Sequence, residues 1–307
     1  MDRIKAMQVF VRIVEANSFT KAAETLNLPR ASLTASMQAL EAHLGARLLQ
    51  RTTRRLSLTP EGERYYQQCA EILAAIDAAE APFLGEQGKG PQGLLRVDLP
   101  GTLGRARIVP RLGEFRAACP GVALTISLGE RLVDLTQEGL DCAVRVGNLQ
   151  DSSLVARALG SMRFVVAASP AYLARHGAPA TLEELAAHEG IVHFSGRTGR
   201  AFDWELEAHG AVRKLALRSA IAVNDAEANL CCALQGLGLA QVGRYQARPF
   251  LASGELVEVL PGVAPTSMPV SLLYPQGRMA SPRLQAFAGW LGALFAADPD
   301  LCLPSRE

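Results

Sequence analysis

Arg30, Ser32, Thr34 and Gln38 fall within nine residues, just behind a proline. Arg47, Arg51, Arg54 and Arg55 lie within a further nine. Short polar donors and acceptors near the start of a helix are what reading base edges in a DNA major groove requires. Clustered guanidiniums are what a phosphate backbone attracts. The set reads as eight DNA contacts: Arg30, Ser32, Thr34 and Gln38 on a recognition helix, with Arg51, Thr52, Arg54 and Arg55 on a wing. Charge agrees with this. Residues 1–64 hold ten Lys/Arg against six Asp/Glu, a net +4, and the remainder carries −3. The near-neutral total of +1 is a basic head on an acidic body.

The elements that must position these groups are legible. Met7, Phe10, Val11 and Val14 recur at helical spacing. Asn17 and Ser18 end that helix, and Thr20 is the expected N-cap of the next. Ala22, Ala23 and Leu26 form its inner face, and two adjacent alanines let short helices cross closely. Asn27-Leu28-Pro29 breaks it, so a third helix starts near Pro29, with Leu33, Met37, Leu40 and Leu44 inward. Gly45 ends it. The arginine-bearing hairpin follows.

Thr59-Pro60-Glu61 is a helix start: cap, proline at the first position, acid in the first turn. The helix then carries Tyr65, Cys69, Ile72, Ile76, Ala79 and Phe83, at alternating spacings of four and three. That is a heptad seam, expected to pair with a second copy. A dimer places two recognition helices on a two-fold symmetric site. Residues 85–93 hold four Gly and one Pro and read as a hinge. The expected division is 1–58 for the head, 59–92 for pairing helix and hinge, and 93–307 for the body.

From Leu94 on, apolar runs alternate with helical patterns, which predicts α/β lobes with mostly parallel sheets. The expected strands are Leu94 to Leu99, Val122 to Leu128, Cys142 to Val146, Phe164 to Ala168, Gly190 to Phe194 and Val270 to Tyr274. The expected helices are 103–118, 131–139, 170–176, 181–187, 225–236, 244–252 and 281–297. A hairpin-like segment around Asp203 to Leu206 and Val212 to Ala222 interrupts the alternation. Lobe one is expected to take 93–163 and 266–307, lobe two 164–265. Ligands in such sheets sit beyond the carboxyl ends of strands, here between the lobes. Candidates are Gly101, Thr102, Leu128, Gly147, Asn148, Phe194, Ser195, Asn224 and Val242. Thr102 opens a helix, where a hydroxyl and free N–H groups suit a carboxylate or other anion.

Catalytic and metal chemistry is not indicated. The six cysteines form no CxxC pair, which fits a reduced, cytoplasmic protein, and the adjacent Cys231-Cys232 reads as core. The five histidines do not cluster at metal spacing. Gly236-Leu237-Gly238 follows a helix and precedes a strand, the reverse of a dinucleotide fingerprint. There is no G-x-S-x-G, no P-loop, no membrane span and no sign of a cofactor. A lyase on the α/β body is disfavoured. A cytosolic solute-binding sensor without specific operator binding is the alternative.

The chain resembles the LysR-type transcriptional regulators over essentially its whole length. The motifs are Phe10-Val11 with Val14-Glu15-Ala16, Ser18-Phe19-Thr20-Lys21-Ala22-Ala23, Leu40-Glu41 with Leu44-Gly45, Leu48-Leu49 with Arg51, and Leu58-Thr59-Pro60-Glu61-Gly62. In the body they continue with Val133-Asp134-Leu135, Glu138-Gly139-Leu140-Asp141, 151–157, 168–173, Asn224-Asp225 and 236–240. The resemblance implies an α/β protein with an all-α winged helix-turn-helix head, a dimerising linker helix, and two Rossmann-like lobes resembling type 2 periplasmic binding proteins. It implies homodimers or homotetramers on double-stranded promoter DNA, a small-molecule effector that changes the DNA bend, and RNA polymerase as a partner. Arg30-Ala31 stands where the family often has Gln-Pro, Ala35 where a long polar residue is common, and Leu49 where Phe is usual, which leaves the operator sequence open.

Overall fold

The computed structural model describes residues 1–51, 56–86, 90–129, 134–149, 154–196, 198–208, 210–276, 279 and 281–303. α1 (Arg3–Ala16) is capped by Asp2, whose carboxylate accepts from the Lys5 amide. Asn17 ends it in the left-handed region at φ 45°, which an Asn side chain tolerates. α2 (Phe19–Leu26) is capped by Ser18, not by Thr20 as expected. The extended backbone of Ser18 aims its hydroxyl at the Lys21 amide, which leaves Thr20 inside the first turn. α3 (Arg30–Leu44) follows Pro29 and ends at Gly45, φ 66°. Leu33, Met37 and Leu40 are buried, but Leu44 is 39% exposed and is not part of the inner face.

β1 (Leu49–Arg51) and β2 (Leu56–Leu58) form the antiparallel wing. Glu41 anchors it, its carboxylate accepting from the Leu48 and Leu49 amides at 2.8 and 3.2 Å. α4 (Pro60–Glu86) starts as expected, with the Thr59 hydroxyl accepting from the Gly62 amide at 2.9 Å.

The first sheet of the body begins with β3 (Gly93–Leu99). The expected helix 103–118 is broken into α5 (Gly101–Leu103), a π turn (Gly104–Ile108), a 3-10 turn (Val109–Arg111) and α6 (Leu112–Ala118). Pro110 withholds an amide there. β4 (Val122–Leu128), α7 (Leu135–Glu138), β5 (Cys142–Val146) and β6 (Leu154–Met162) follow. The expected helix 131–139 is therefore described only as the single turn of α7, its start lying outside the described residues.

The chain crosses at Arg163. It then builds β7 (Phe164–Ala168), α8 (Pro170–His176), α9 (Leu182–Ala187), β8 (Glu189–His193), β9 (Trp204–Ala208), β10 (Ala211–Leu215) and β11 (Arg218–Val223). α10 (Ala226–Leu234), β12 (Leu239–Gly243), α11 (Arg244–Ser253), β13 (Val257–Glu258) and β14 (Ala264–Pro265) complete that half. β15 (Met268–Pro275) and α12 (Pro282–Ala296) return to the first.

The two five-stranded sheets run β4-β3-β5-β15-β6 and β11-β8-β12-β7-β13. They are mixed, not mostly parallel as expected. β15 is antiparallel to β5 and β6, and β7 is antiparallel to β12 and β13. The strands next to the crossings cause this, because they enter a sheet from the opposite lobe. Val212 to Ala222 likewise divides between two sheets. Val212 pairs with Glu207 in the hairpin, whereas Ile221 pairs with Ile191 in parallel. Each lobe has its own core: Leu95, Val97, Phe115 and Phe287 in one, and Val165, Ile191 and Ala240 in the other.

Candidate nucleic-acid interface and interlobe site

With Leu33, Met37 and Leu40 held inward at helical spacing, Arg30, Ser32 and Gln38 are left exposed and Thr34 half-buried on the outer side of α3. The Thr34 hydroxyl donates to the Arg30 carbonyl at 3.2 Å, so toward a base it is left to accept, as from a cytosine or adenine amino group. Arg51 ends β1. Thr52, Arg54 and Arg55 lie outside the described residues.

The expected pairing seam meets the head's own core at its first two positions, and is corrected at Cys69. Tyr65 packs on Phe10 with ring centroids 5.6 Å apart, and Cys69 is 0% exposed inside the head core. Their side of α4 meets α1, which leaves Cys69 unavailable to a second chain and Tyr65 half-buried. Burial pushes the Tyr65 phenol up to about 12 and raises the Cys69 thiol as well. Ile72 is 42% exposed, Ile76 half-buried and Ala79 exposed. The Phe83 side chain lies outside what the structure describes.

In lobe one, Gly101 and Thr102 follow β3, and Leu128 ends the neighbouring strand, paired with Leu99. Gly147 and Asn148 follow β5, with Gly147 at φ 105°. These five therefore share the carboxyl edge of the parallel strands. Thr102 is only 7% exposed and its hydroxyl has no hydrogen-bond partner. A plain cap would have one. Buried polar groups are nearly always hydrogen-bonded, so an orphaned hydroxyl here is an exception that calls for a cause.

In lobe two, the Phe194 amide donates to the Val223 carbonyl at 2.9 Å, which puts Phe194 and Ser195 beside Asn224 at the ends of β8 and β11. Val242 does not join them. It is 3% exposed within the second lobe's core, because its pairing with Val165 on β7 turns it toward the helices.

Arg105 and Glu227 connect the two edges. Arg105 lies three residues after Thr102, Glu227 three after Asn224, and their charged groups meet at 2.6 Å. Sequence reasoning missed this pair, since its members are 122 residues apart and neither sits in a motif. His193, half-buried at the end of β8, stacks on Phe202, and burial lowers its pKa. Among the described residues, no group of three or more His, Cys, Asp or Glu is placed to hold a metal. Among the same residues, no helix is long and apolar enough to cross a membrane.

Two family models match the chain: the bacterial regulatory helix-turn-helix protein, lysR family, over residues 4–63, and the LysR substrate binding domain over residues 88–296. The HTH-type transcriptional regulator YhjC of Escherichia coli is 38% identical over 295 residues, covering 96% of this chain and 98% of its own. A transcriptional repressor of Pseudomonas aeruginosa is 37% identical over 303 residues, covering 99% and 95%. Among solved structures, CrgA of Neisseria meningitidis, described as a LysR-type transcriptional regulator, is 33% identical with a TM-score of 0.59, covering 94% of this chain and 97% of its own. The full-length virulence activator AphB of Vibrio cholerae is 27% identical with a TM-score of 0.57, covering 95% and 98%.

Proposed function

Because the chain belongs to the LysR-type transcriptional regulators, DNA-binding proteins with a winged helix-turn-helix and a substrate-binding body, we propose the following division of its work. Residues 1–58 read a two-fold promoter site, 59–92 pair two copies, and 93–307 bind a small-molecule effector between the lobes. The observation that carries this is the segregation on α3: Leu33, Met37 and Leu40 are buried while Arg30, Ser32 and Gln38 are exposed. Arg30, Thr34 and Gln38 discriminate bases. Arg51, Thr52, Arg54 and Arg55 hold phosphates, which fixes register without reading sequence.

The effector reading rests on the orphaned, buried Thr102 hydroxyl just beyond the end of β3. Gly101, Leu128, Gly147 and Asn148 from one lobe, with Phe194, Ser195 and Asn224 from the other, complete the site. The effector acts by binding one lobe arrangement more tightly than another. Ile72, Ile76, Ala79 and Phe83 form the part of α4 that meets a second copy. The protein works in the cytoplasm as a dimer or tetramer and hands its signal to RNA polymerase.

The test compares binding to the regulator's own promoter DNA and to random duplex. Arg51→Ala or Arg54→Ala should weaken both, whereas Arg30→Ala or Thr34→Ala should weaken the promoter site alone, by about 1–3 kcal/mol. Equal losses on both duplexes for all four changes would refute the assignment of α3.

A further inference from the structure

The head rests directly on lobe one. The Arg96 guanidinium on β3 donates to the carbonyl of Thr25, near the end of α2, at 2.6 Å, across 71 residues of sequence. Thr25 is held from the other side by Arg12 of α1, whose Nε donates to the Thr25 hydroxyl at 2.7 Å. Arg12 also pairs with Glu15 at 3.2 Å, and both are buried, an unusual state for charged groups on the first helix of a head. Opposite them lies α7, closed by Gly139 at φ 68°. A Cβ on Gly139 would run into the Arg12 guanidinium and come to 3.0 Å from the Thr25 methyl. The glycine thus serves a left-handed turn and a close approach at once.

The strand that holds this seat is the one that leads to the interlobe site. Arg96 is locked in β3 by a two-way bond with Asp141: its amide donates to that carboxylate and its carbonyl accepts from that amide, both at 2.8 Å. Two residues on, Asp98 is held by a buried ion pair with Arg145 at 2.7 Å. β3 then ends at Leu99, and Thr102 follows. The strand is therefore pinned along its length and carries a head contact at one point and the orphaned hydroxyl at its end. With the head seated, Arg30, Ser32 and Gln38 remain exposed, so the seated arrangement can read DNA.

We propose that this seat is a coupling element, in which docking of the head on lobe one and the state of the interlobe site are linked through β3. DNA on the head and a ligand between the lobes then alter each other's affinity by the same factor, without relay through α4. The second half of this statement rests on the effector reading given above; the seat itself does not.

Hydrogen exchange on the full chain tests it in two arms. Without any ligand, Arg96→Ala should speed exchange at 20–28 and 134–141 about tenfold, as loss of a charged hydrogen bond implies, while β5 and α12 stay unchanged. Arg96→Lys, which can still donate to the Thr25 carbonyl, should restore part of the protection. No change, or faster exchange spread through the lobe-one core, would overturn the seat.

In the second arm the probe is the duplex upstream of the regulator's own gene. It should slow exchange at 100–108 in the wild type and not in Arg96→Ala. Equal slowing in both proteins, or none in the wild type with the duplex bound, would overturn the coupling. A duplex that neither protein binds would instead count against the promoter reading, and the first arm would still decide the seat.

Discussion

The Arg105 guanidinium and the Glu227 carboxylate meet at 2.6 Å across the junction between the two lobes, one three residues beyond Thr102 and the other three beyond Asn224. Both side chains are about half exposed, 48% and 56%. A pair in that setting is a latch that water and salt can loosen. A double-mutant cycle of Arg105→Ala and Glu227→Ala should give a coupling of about 0.5 kcal/mol. It should fade as salt rises from roughly 50 mM to roughly 500 mM, where screening shortens to a few ångströms. A salt-independent coupling above about 2 kcal/mol would make the pair a fixed strut between the lobes.

Thr102→Val tests what the orphaned hydroxyl is for. Valine has nearly the same shape and removes a buried polar group that has no partner. Thermal unfolding of the free protein should be unchanged or slightly raised, within about 1 kcal/mol, because nothing bonded is lost. A loss of about 2 kcal/mol or more would mean that the hydroxyl serves the fold.

The correction along α4 separates two roles that share a heptad. Ile72→Asp should shift the protein toward monomer in sedimentation equilibrium, since Ile72 is 42% exposed and free to meet a second chain. Cys69→Ser should leave the assembly intact but lower the stability of the head by about 1–3 kcal/mol, as a hydroxyl is placed in a dry core. An unchanged assembly in Ile72→Asp would remove α4 from the interface.

The Tyr65 phenol, pushed up to about 12 by burial, makes the head alkali-sensitive. Above pH 10 the unfolded chain releases this proton and the folded chain keeps it, so stability falls as pH rises between about 10 and 12. Tyr65→Phe should flatten that part of the stability profile, followed by helical circular dichroism. Identical profiles for both proteins would show that Tyr65 ionises freely while the head is folded.

What was legible in the sequence was whatever depends on local rules. The strands Val122–Leu128, Cys142–Val146 and Phe164–Ala168 have the expected bounds, since short apolar runs between turns leave few alternatives. The N-cap of α2 fell two residues from its expected place because Ser18 and Thr20 are both good caps, and only the left-handed Asn17 decides between them. Strand direction was not legible, because β15 reaches its sheet from the other lobe. In the candidate site, Thr102, Ser195 and Asn224 lie just beyond strand ends, a placement that follows from where the apolar runs stop. Val242 failed because a strand end and a core position share one apolar signature. Cys69 failed similarly, as a heptad does not say which of its positions its own chain uses. Arg105, Glu227 and Arg96 carry no local pattern at all, and their partners are set by the tertiary fold.

The central claim is sequence-specific DNA reading by α3 and the wing. Its most direct measurement is binding of the purified protein to its own upstream intergenic DNA, against a scrambled duplex of equal length, over a salt series. The account predicts selective binding with a two-fold protected site, and an affinity that falls steeply as salt rises and counterions are no longer released to advantage. Equal, weak binding to both duplexes would contradict it and leave the head as a basic surface without an operator.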